Sequence, residues 1–93
     1  MKLQHSNFWQ KHPETEQPLK AWFDEVKNTE WENPNDLISV FPNVRIVKND
    51  RAIFNIKGNK YRLVVAIKYA FKIVYVRFIG THAEYDKINA EEI

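Results

Sequence analysis

The stretch that decides the fold runs Arg51-Ala52-Ile53-Phe54-Asn55-Ile56-Lys57-Gly58-Asn59-Lys60-Tyr61-Arg62-Leu63-Val64-Val65-Ala66-Ile67-Lys68. Two runs rich in β-branched and aromatic residues flank Gly58-Asn59, the signature of a two-residue hairpin turn, so Arg51–Lys57 and Lys60–Lys68 read as paired antiparallel strands. That turn opposes Lys57 to Lys60, Asn55 to Arg62 and Phe54 to Leu63. Side chains alternate along a strand, so one face carries Ala52, Phe54, Ile56, Tyr61, Leu63, Val65 and Ile67. The other carries Arg51, Asn55, Lys57, Lys60 and Arg62 among Ile53, Val64 and Ala66.

Beyond this hairpin the tight Tyr69-Ala70-Phe71 region leads into Lys72–Ile79, a third strand by composition. A loop of even length opposes Arg62 to Ile79 and Val64 to Arg77. It adds Val74, Val76 and Phe78 to the apolar face, and Ile73, Tyr75, Arg77 and Ile79 to the basic one. A loop of odd length would place Arg77 among core residues, and because a one-residue slip exchanges every side chain between faces, the even register is expected. Lys57, Lys60, Arg62 and Arg77 then converge from three adjacent strands. On the near side, Val44–Lys48 forms a short strand before an Asn49-Asp50 turn.

The N-terminal half reads as helical. Phe8 and Trp9 suit a short helix ending before His12-Pro13, and Pro13 opens a second helix with Glu14 and Glu16 in its first turn. Leu19, Trp22, Phe23 and Val26 recur at spacings of three and four, a stripe that faces a core. Asn33-Pro34-Asn35 breaks the chain, and Asp36–Phe41 forms a short helix or turn before Pro42. Helices followed by an antiparallel sheet give an α+β architecture, expected to form a single domain over residues 1–93.

Charge is unevenly distributed along the 93 residues. Residues 44–80 hold nine Lys/Arg against the single acid Asp50, whereas 1–43 and 81–93 each carry a net −3. Such a block suits either an anionic partner, nucleic acid foremost, or a merely solvated strand surface, and the convergence of four cations favours the first. The absence of cysteine excludes disulfides and thiolate chemistry. No segment has the length and apolarity of a membrane span, and Met1–Asn7 lacks a signal peptide's apolar stretch, so a cytoplasmic location is expected.

Thr81 and Glu84 have capping-box spacing, which predicts a short helix from about His82 to Asn89. His82 and Tyr85 then share one helical face where the basic strand ends. A titratable imidazole beside clustered cations is the usual apparatus of proton transfer, whereas Tyr85 could equally pack on the sheet. His5, His12 and His82 have no ligand spacing, His12 reads as a helix-end residue, and no metal or cofactor is expected. Neither a phosphate-binding loop nor a dinucleotide fingerprint is present.

The run Phe54–Val64, followed by Val76–Ile88 with its Gly80-Thr81-His82-Ala83-Glu84-Tyr85, resembles the HigB toxins of toxin–antitoxin systems, as do Phe8-Trp9…Lys11-His12-Pro13 and Trp31…Pro34…Asp36. The resemblance extends from about Phe8 to the end of the chain. Met1–Asn7 is brief and polar for the short strand with which such proteins usually begin. The resemblance implies a RelE-like fold, with helices on one sheet face and the active site on the other. It also implies cleavage of mRNA, commonly on the ribosome, and neutralisation by a HigA-type antitoxin through which operator DNA is contacted. More distantly, Lys57 and Tyr61-Arg62-Leu63-Val64 are similar to a segment of RelE whose Lys and Arg serve the scissile phosphate. His82 and Tyr85 fall near further RelE-like catalytic positions.

The chemistry this suggests is metal-independent attack by the RNA 2′-hydroxyl. Lys57, Arg62 and Arg77 would hold the phosphate, His82 would exchange a proton, and Tyr85 would stack on a base or assist proton transfer. Arg51 and Lys60 would track the RNA backbone, with Asn55 and Tyr75 beside them as further RNA contacts. Two other readings use the same face: a non-catalytic nucleic-acid- or ribosome-binding module, and a gyrase inhibitor of the ParE-like branch.

Overall fold

The computed structural model describes residues 1–4 and 12–93. The expected helix at Phe8 and Trp9 lies outside the described residues. Strand β1 (Lys2–Gln4) is followed by a 3₁₀ turn at Pro13–Thr15 that runs into helix α1 (Glu16–Lys27), and then by α2 (Pro34–Val40). Strands β2 (Arg45–Val47), β3 (Arg51–Ile56), β4 (Tyr61–Lys68) and β5 (Ile73–Thr81) come next, and a single turn of helix, α3 (His82–Tyr85), follows β5 directly. The sheet order is β1-β5-β4-β3-β2.

Helix α1 buries Leu19, Trp22, Phe23 and Val26, the stripe expected from its periodicity. Helix α2 starts two residues earlier than expected, at Pro34 instead of Asp36, because Asn33 caps it by accepting the Asp36 N–H at 3.1 Å and Pro34 fits its first turn. Edge-to-face aromatic contacts tie the two helical segments to the sheet: Trp22 meets Phe54 at 5.1 Å, Phe54 meets Phe41 at 5.1 Å, and Phe41 meets Trp31 at 6.0 Å. Ala52, Phe54, Ile56, Tyr61, Leu63, Val65 and Ile67 all join this core, as the hairpin alternation required.

Asn55 pairs with Arg62 and Phe54 with Leu63. The ladder nevertheless stops at Ile56–Tyr61, one pair short, and residues 57–60 form a four-residue turn. Lys57 and Gly58 both adopt positive φ there, at 54° and 66°. A non-glycine residue in that conformation cannot continue a strand, which is why Lys57 leaves the ladder.

The β4–β5 loop is even, pairing Lys68 with Ile73 and Ala66 with Tyr75. A β-bulge opposite Val64–Val65 then makes Arg77 an extra residue, so Val64 faces Phe78 and Arg62 faces Gly80 rather than Ile79. The expected placement of the last residues is thereby corrected: Ile79 enters the core, and Phe78 moves to the opposite face. That face is not wholly solvated, since Ile53, Val64 and Ala66 are buried there, with α3 lying against β4 and β5.

An N-terminal strand is present despite its polar composition. Strand β1 runs parallel to β5, with Leu3 beside Val74, so the sheet is not purely antiparallel. Met1 is buried, and its amino nitrogen donates to the carbonyls of Val26 and Thr29 at the end of α1. Helix α3 is shorter than expected, ending at Tyr85 instead of near Asn89.

Leu63→Ala removes a fully buried side chain from the central strand, and should lower unfolding free energy by about 2–5 kcal/mol in urea titrations. Phe71→Ala, at a position 75% exposed, should change it by no more than about 0.5 kcal/mol. Burial, and then the negative charge of Asp50, push the Tyr69 phenol above its ordinary 10.0. Folding therefore favours the neutral phenol, and this contribution is complete below about pH 10 and lost as pH rises through the folded value. Thermal unfolding of the wild type should accordingly fall more steeply above pH 10 than that of Tyr69→Phe.

Candidate active site

Arg62 sits in the middle of the sheet with Asn55 of β3 on one side and Gly80 of β5 on the other. Its Nη1 donates to the Asn59 carbonyl at 2.9 Å, and Asn59 Oδ1 accepts from Asn55 Nδ2 at 3.2 Å. The β3–β4 turn thus orients two side chains of the site as well as reversing the chain. Among the described residues Arg62 makes no salt bridge, so its guanidinium is not tied to a carboxylate.

Gly80 is required for this arrangement. A Cβ built there would lie 2.7 Å from Phe78 Cζ and 3.1 Å from Glu84 Oε1, so the Phe78 ring and α3 close over the glycine. Helix α3 is held by the expected capping box: Thr81 Oγ1 accepts the Glu84 N–H at 3.2 Å, and Glu84 Oε1 accepts the Thr81 N–H at 2.9 Å. The same Oε1 lies 3.0 Å from His12 Nε2, and the His12 ring sits 5.3 Å from that of Tyr61. His12 therefore braces the cap from behind, a role its sequence position did not reveal.

In front, His82 Nδ1 is 3.0 Å from Asp86 Oδ2. A carboxylate at Nδ1 fixes the neutral imidazole with its proton on Nδ1, and so leaves the Nε2 lone pair to accept one. The Tyr85 ring stands edge-on to that of His82, with centroids 6.5 Å apart.

These groups surround a hollow of about 450 Å³. Strands β3 and β4 line it with Ile53, Asn55 and Arg62, and α3 and the residue after it with His82, Tyr85 and Asp86. The remaining wall is Arg45 of β2 with Asn43 before it. Arg45 was not singled out from sequence. Its signal is the β2–β3 register, which pairs it with Ile53 and so puts it on the face of Asn55 and Arg62. A two-residue Asn49-Asp50 turn would have opposed Arg45 to Phe54 on the core face, and the three-residue loop over 48–50 is what brings it to this one.

Of the residues expected at the site, Asn55, Arg62, His82 and Tyr85 are brought together. Lys57 and Lys60 lie in the exposed turn and do not line the hollow. Arg77 projects from the bulge over the Tyr75 ring at 5.9 Å, away from the lining residues. Arg51 is engaged within the protein, its Nε donating to the Ile93 carbonyl at 2.9 Å and its Nη1 to that of Asn49 at 2.8 Å. His5 lies outside the described residues. No three His, Asp or Glu side chains among the described residues gather as a cation site.

Helices on one face of a five-stranded sheet, with a cationic hollow bearing a histidine on the other, define a small α+β protein of RelE-like architecture. Residues 15–88 match the HigB_toxin family, the RelE-like toxic component of a toxin–antitoxin system, and the chain belongs to that family. It is 30% identical over 80 residues to an mRNA interferase HigB of Escherichia coli O6:H1, covering 84% of this chain and 78% of the relative. It is 29% identical over 83 residues to the mRNA interferase toxin HigB of Escherichia coli K12, covering 87% and 80%. The mRNA interferase HigB of Shigella flexneri matches to the same extent, at 29% over 83 residues.

Glu84→Ala removes one half of the capping box and the partner of His12 together. It should cost about 1–2 kcal/mol and speed amide exchange at Thr81, whereas unchanged exchange there would show that the cap does not hold α3.

Proposed function

We propose that this protein is the mRNA-cleaving toxin of a toxin–antitoxin pair, acting in the cytoplasm on translated messages until a HigA-type antitoxin covers the site. The observation that carries this reading is the hollow in which Arg45, Arg62, His82 and Tyr85 meet, with His82 Nδ1 held by Asp86. The relatives named mRNA interferase support it.

RNA supplies its own nucleophile, so the protein has three tasks: to take the 2′-hydroxyl proton, to stabilise charge on the phosphorus, and to protonate the leaving 5′-oxygen. His82 Nε2 accepts the proton as O2′ bonds to phosphorus, and the P–O5′ bond breaks to leave a cyclic phosphate and a 5′-hydroxyl. The imidazolium, or a water carrying the same proton, protonates the departing oxygen. Arg62 and Arg45 neutralise the equatorial oxygens with planar donor forks. Tyr85 stacks on the neighbouring base. Lys57, Lys60 and Arg77, which stand outside the hollow, hold the flanking RNA backbone. Arg51 serves the protein's own tail, with Tyr75 beneath Arg77.

After brief induction, mapping of mRNA 5′ ends should reveal new cuts within translated codons. Arg62→Ala and His82→Ala should each lower cleavage by about 10²–10³-fold. Wild-type cutting in both variants would remove the site assignment. No cuts at all, together with a DNA-damage response, would favour gyrase inhibition. Growth arrest with neither would leave a binding module. Co-expression of an adjacent small helix-turn-helix gene should abolish the arrest, and adding ribosomes to purified mRNA should raise cutting.

A further inference from the structure

Beside the cationic hollow lies a second one, also of about 450 Å³, and Arg45, Ile53 and Tyr85 line both. The two share a wall but differ in charge. Where the first has Arg62 and His82, the second has Ile88, Asn89 and Glu91 from the segment after α3.

That segment is fixed by the protein itself. Asn49 Nδ2 donates to the Glu91 carbonyl at 2.9 Å, and Arg51 holds the Ile93 carbonyl two residues on. Asn89 Oδ1 accepts the Glu91 N–H at 3.0 Å. Its amide NH₂ therefore remains a donor, and the Glu91 carboxylate, which forms no ion pair among the described residues, is purely an acceptor.

We propose that the second hollow is a base-reading subsite, receiving the base of the nucleotide whose phosphate lies between Arg45 and Arg62 and favouring bases that bear an exocyclic amino group. The inference rests on the RNA-cleaving role given above. The first hollow sets Arg45 and Arg62 against Asp86, whereas the second sets Arg45 alone against Glu91, so the nucleotide is oriented with its phosphate in the first and its base in the second. Unstacked bases in single-stranded RNA are held on aromatic rings and guanidinium planes, and Tyr85 and Arg45 offer both at the shared wall. Ile53 and Ile88 supply apolar surface. The Glu91 carboxylate accepts the amino N–H of cytosine, adenine or guanine. Uracil has no such donor, and its carbonyl oxygen at that position faces the carboxylate unfavourably.

Cytosine and uracil have the same outline. They differ only in the 4-amino against 4-oxo group and the proton on N3, a donor that uracil presents only between two carbonyl oxygens. Cytidine and uridine 3′-monophosphate are therefore the decisive probes. In amide chemical-shift titrations of the ¹⁵N-labelled full chain, the cytidine nucleotide should shift the Asn89 and Glu91 amides. It should bind about tenfold more tightly than the uridine nucleotide. Glu91→Gln, nearly isosteric and tolerant of either base, should bring the two affinities together. Equal affinities in the wild type, or shifts confined to Arg62 and His82, would overturn the subsite.

Cleavage maps give the second readout. Wild-type cuts should be depleted in uracil at one fixed position next to the scissile bond, and the depletion should fade in Glu91→Gln and Asn89→Ala. Cuts whose base profile is the same in all three proteins count against this inference alone. An absence of cuts counts against the RNA-cleaving role, and the nucleotide titrations then still decide the subsite.

Discussion

Strand β5 must bury Val74 and Val76 in its first half and Ile79 in its second, yet a regularly alternating strand cannot place even and odd positions on one face. The extra residue at Arg77 resolves that conflict. It lets the core side run unbroken along β5, and in doing so turns Phe78 and Gly80 toward the side where Arg62 stands. With Gly80 beside Arg62, the chain has no side chain at the point where α3 must fold back, and the cap can close against the sheet. Core and hollow are therefore two results of one irregularity. A straight β5 would bury Phe78, expose Ile79, and bring a bulky residue next to Arg62.

The hollow itself is assembled by short polar links. Asn59 holds Asn55 and Arg62 from the turn, and Asp86 holds the His82 ring. Glu84 joins Thr81 to His12 across a large separation in sequence. Most of these links lie near solvent, where a single bond contributes about 1 kcal/mol or less, so the arrangement depends on several acting together rather than on any one. His12 is the exception in burial, being only 17% exposed and lodged against Tyr61.

Much of this was legible in the chain. Alternation through Phe54–Leu63 set the first hairpin and its buried face, the Leu19–Val26 stripe set α1, and Thr81–Glu84 announced the cap. What escaped has a physical cause in each case. A bulge leaves no mark in composition, because Arg77 suits either a ladder or a kink. Strand β1 is made by pairing with β5 and by the burial of Met1 and Leu3, neither visible in a short polar segment. Arg45 lies on a three-residue edge strand whose register depends on two successive positive-φ residues, Asn49 and Asp50. Lys57 was expected in the ladder because its own backbone conformation, not its side chain, takes it out. The hollow was thus readable in kind, cationic with one imidazole, but not in the full set of residues that line it.

The order in which the hollow's walls occur along the chain has a consequence for synthesis. Asn43, Arg45, Ile53, Asn55 and Arg62 precede β5, whereas His82, Tyr85 and Asp86 come after every strand. Strand β5 must also pair with β1, so the first and last strands of the sheet meet only once the whole sheet has been made. Until β5 and α3 have emerged from the ribosome, a nascent chain carries the arginines without the imidazole, and its sheet lacks the strand that supports α3. The hollow can close only when β5 and α3 have both been made, so the arginine side of its wall always precedes the histidine side.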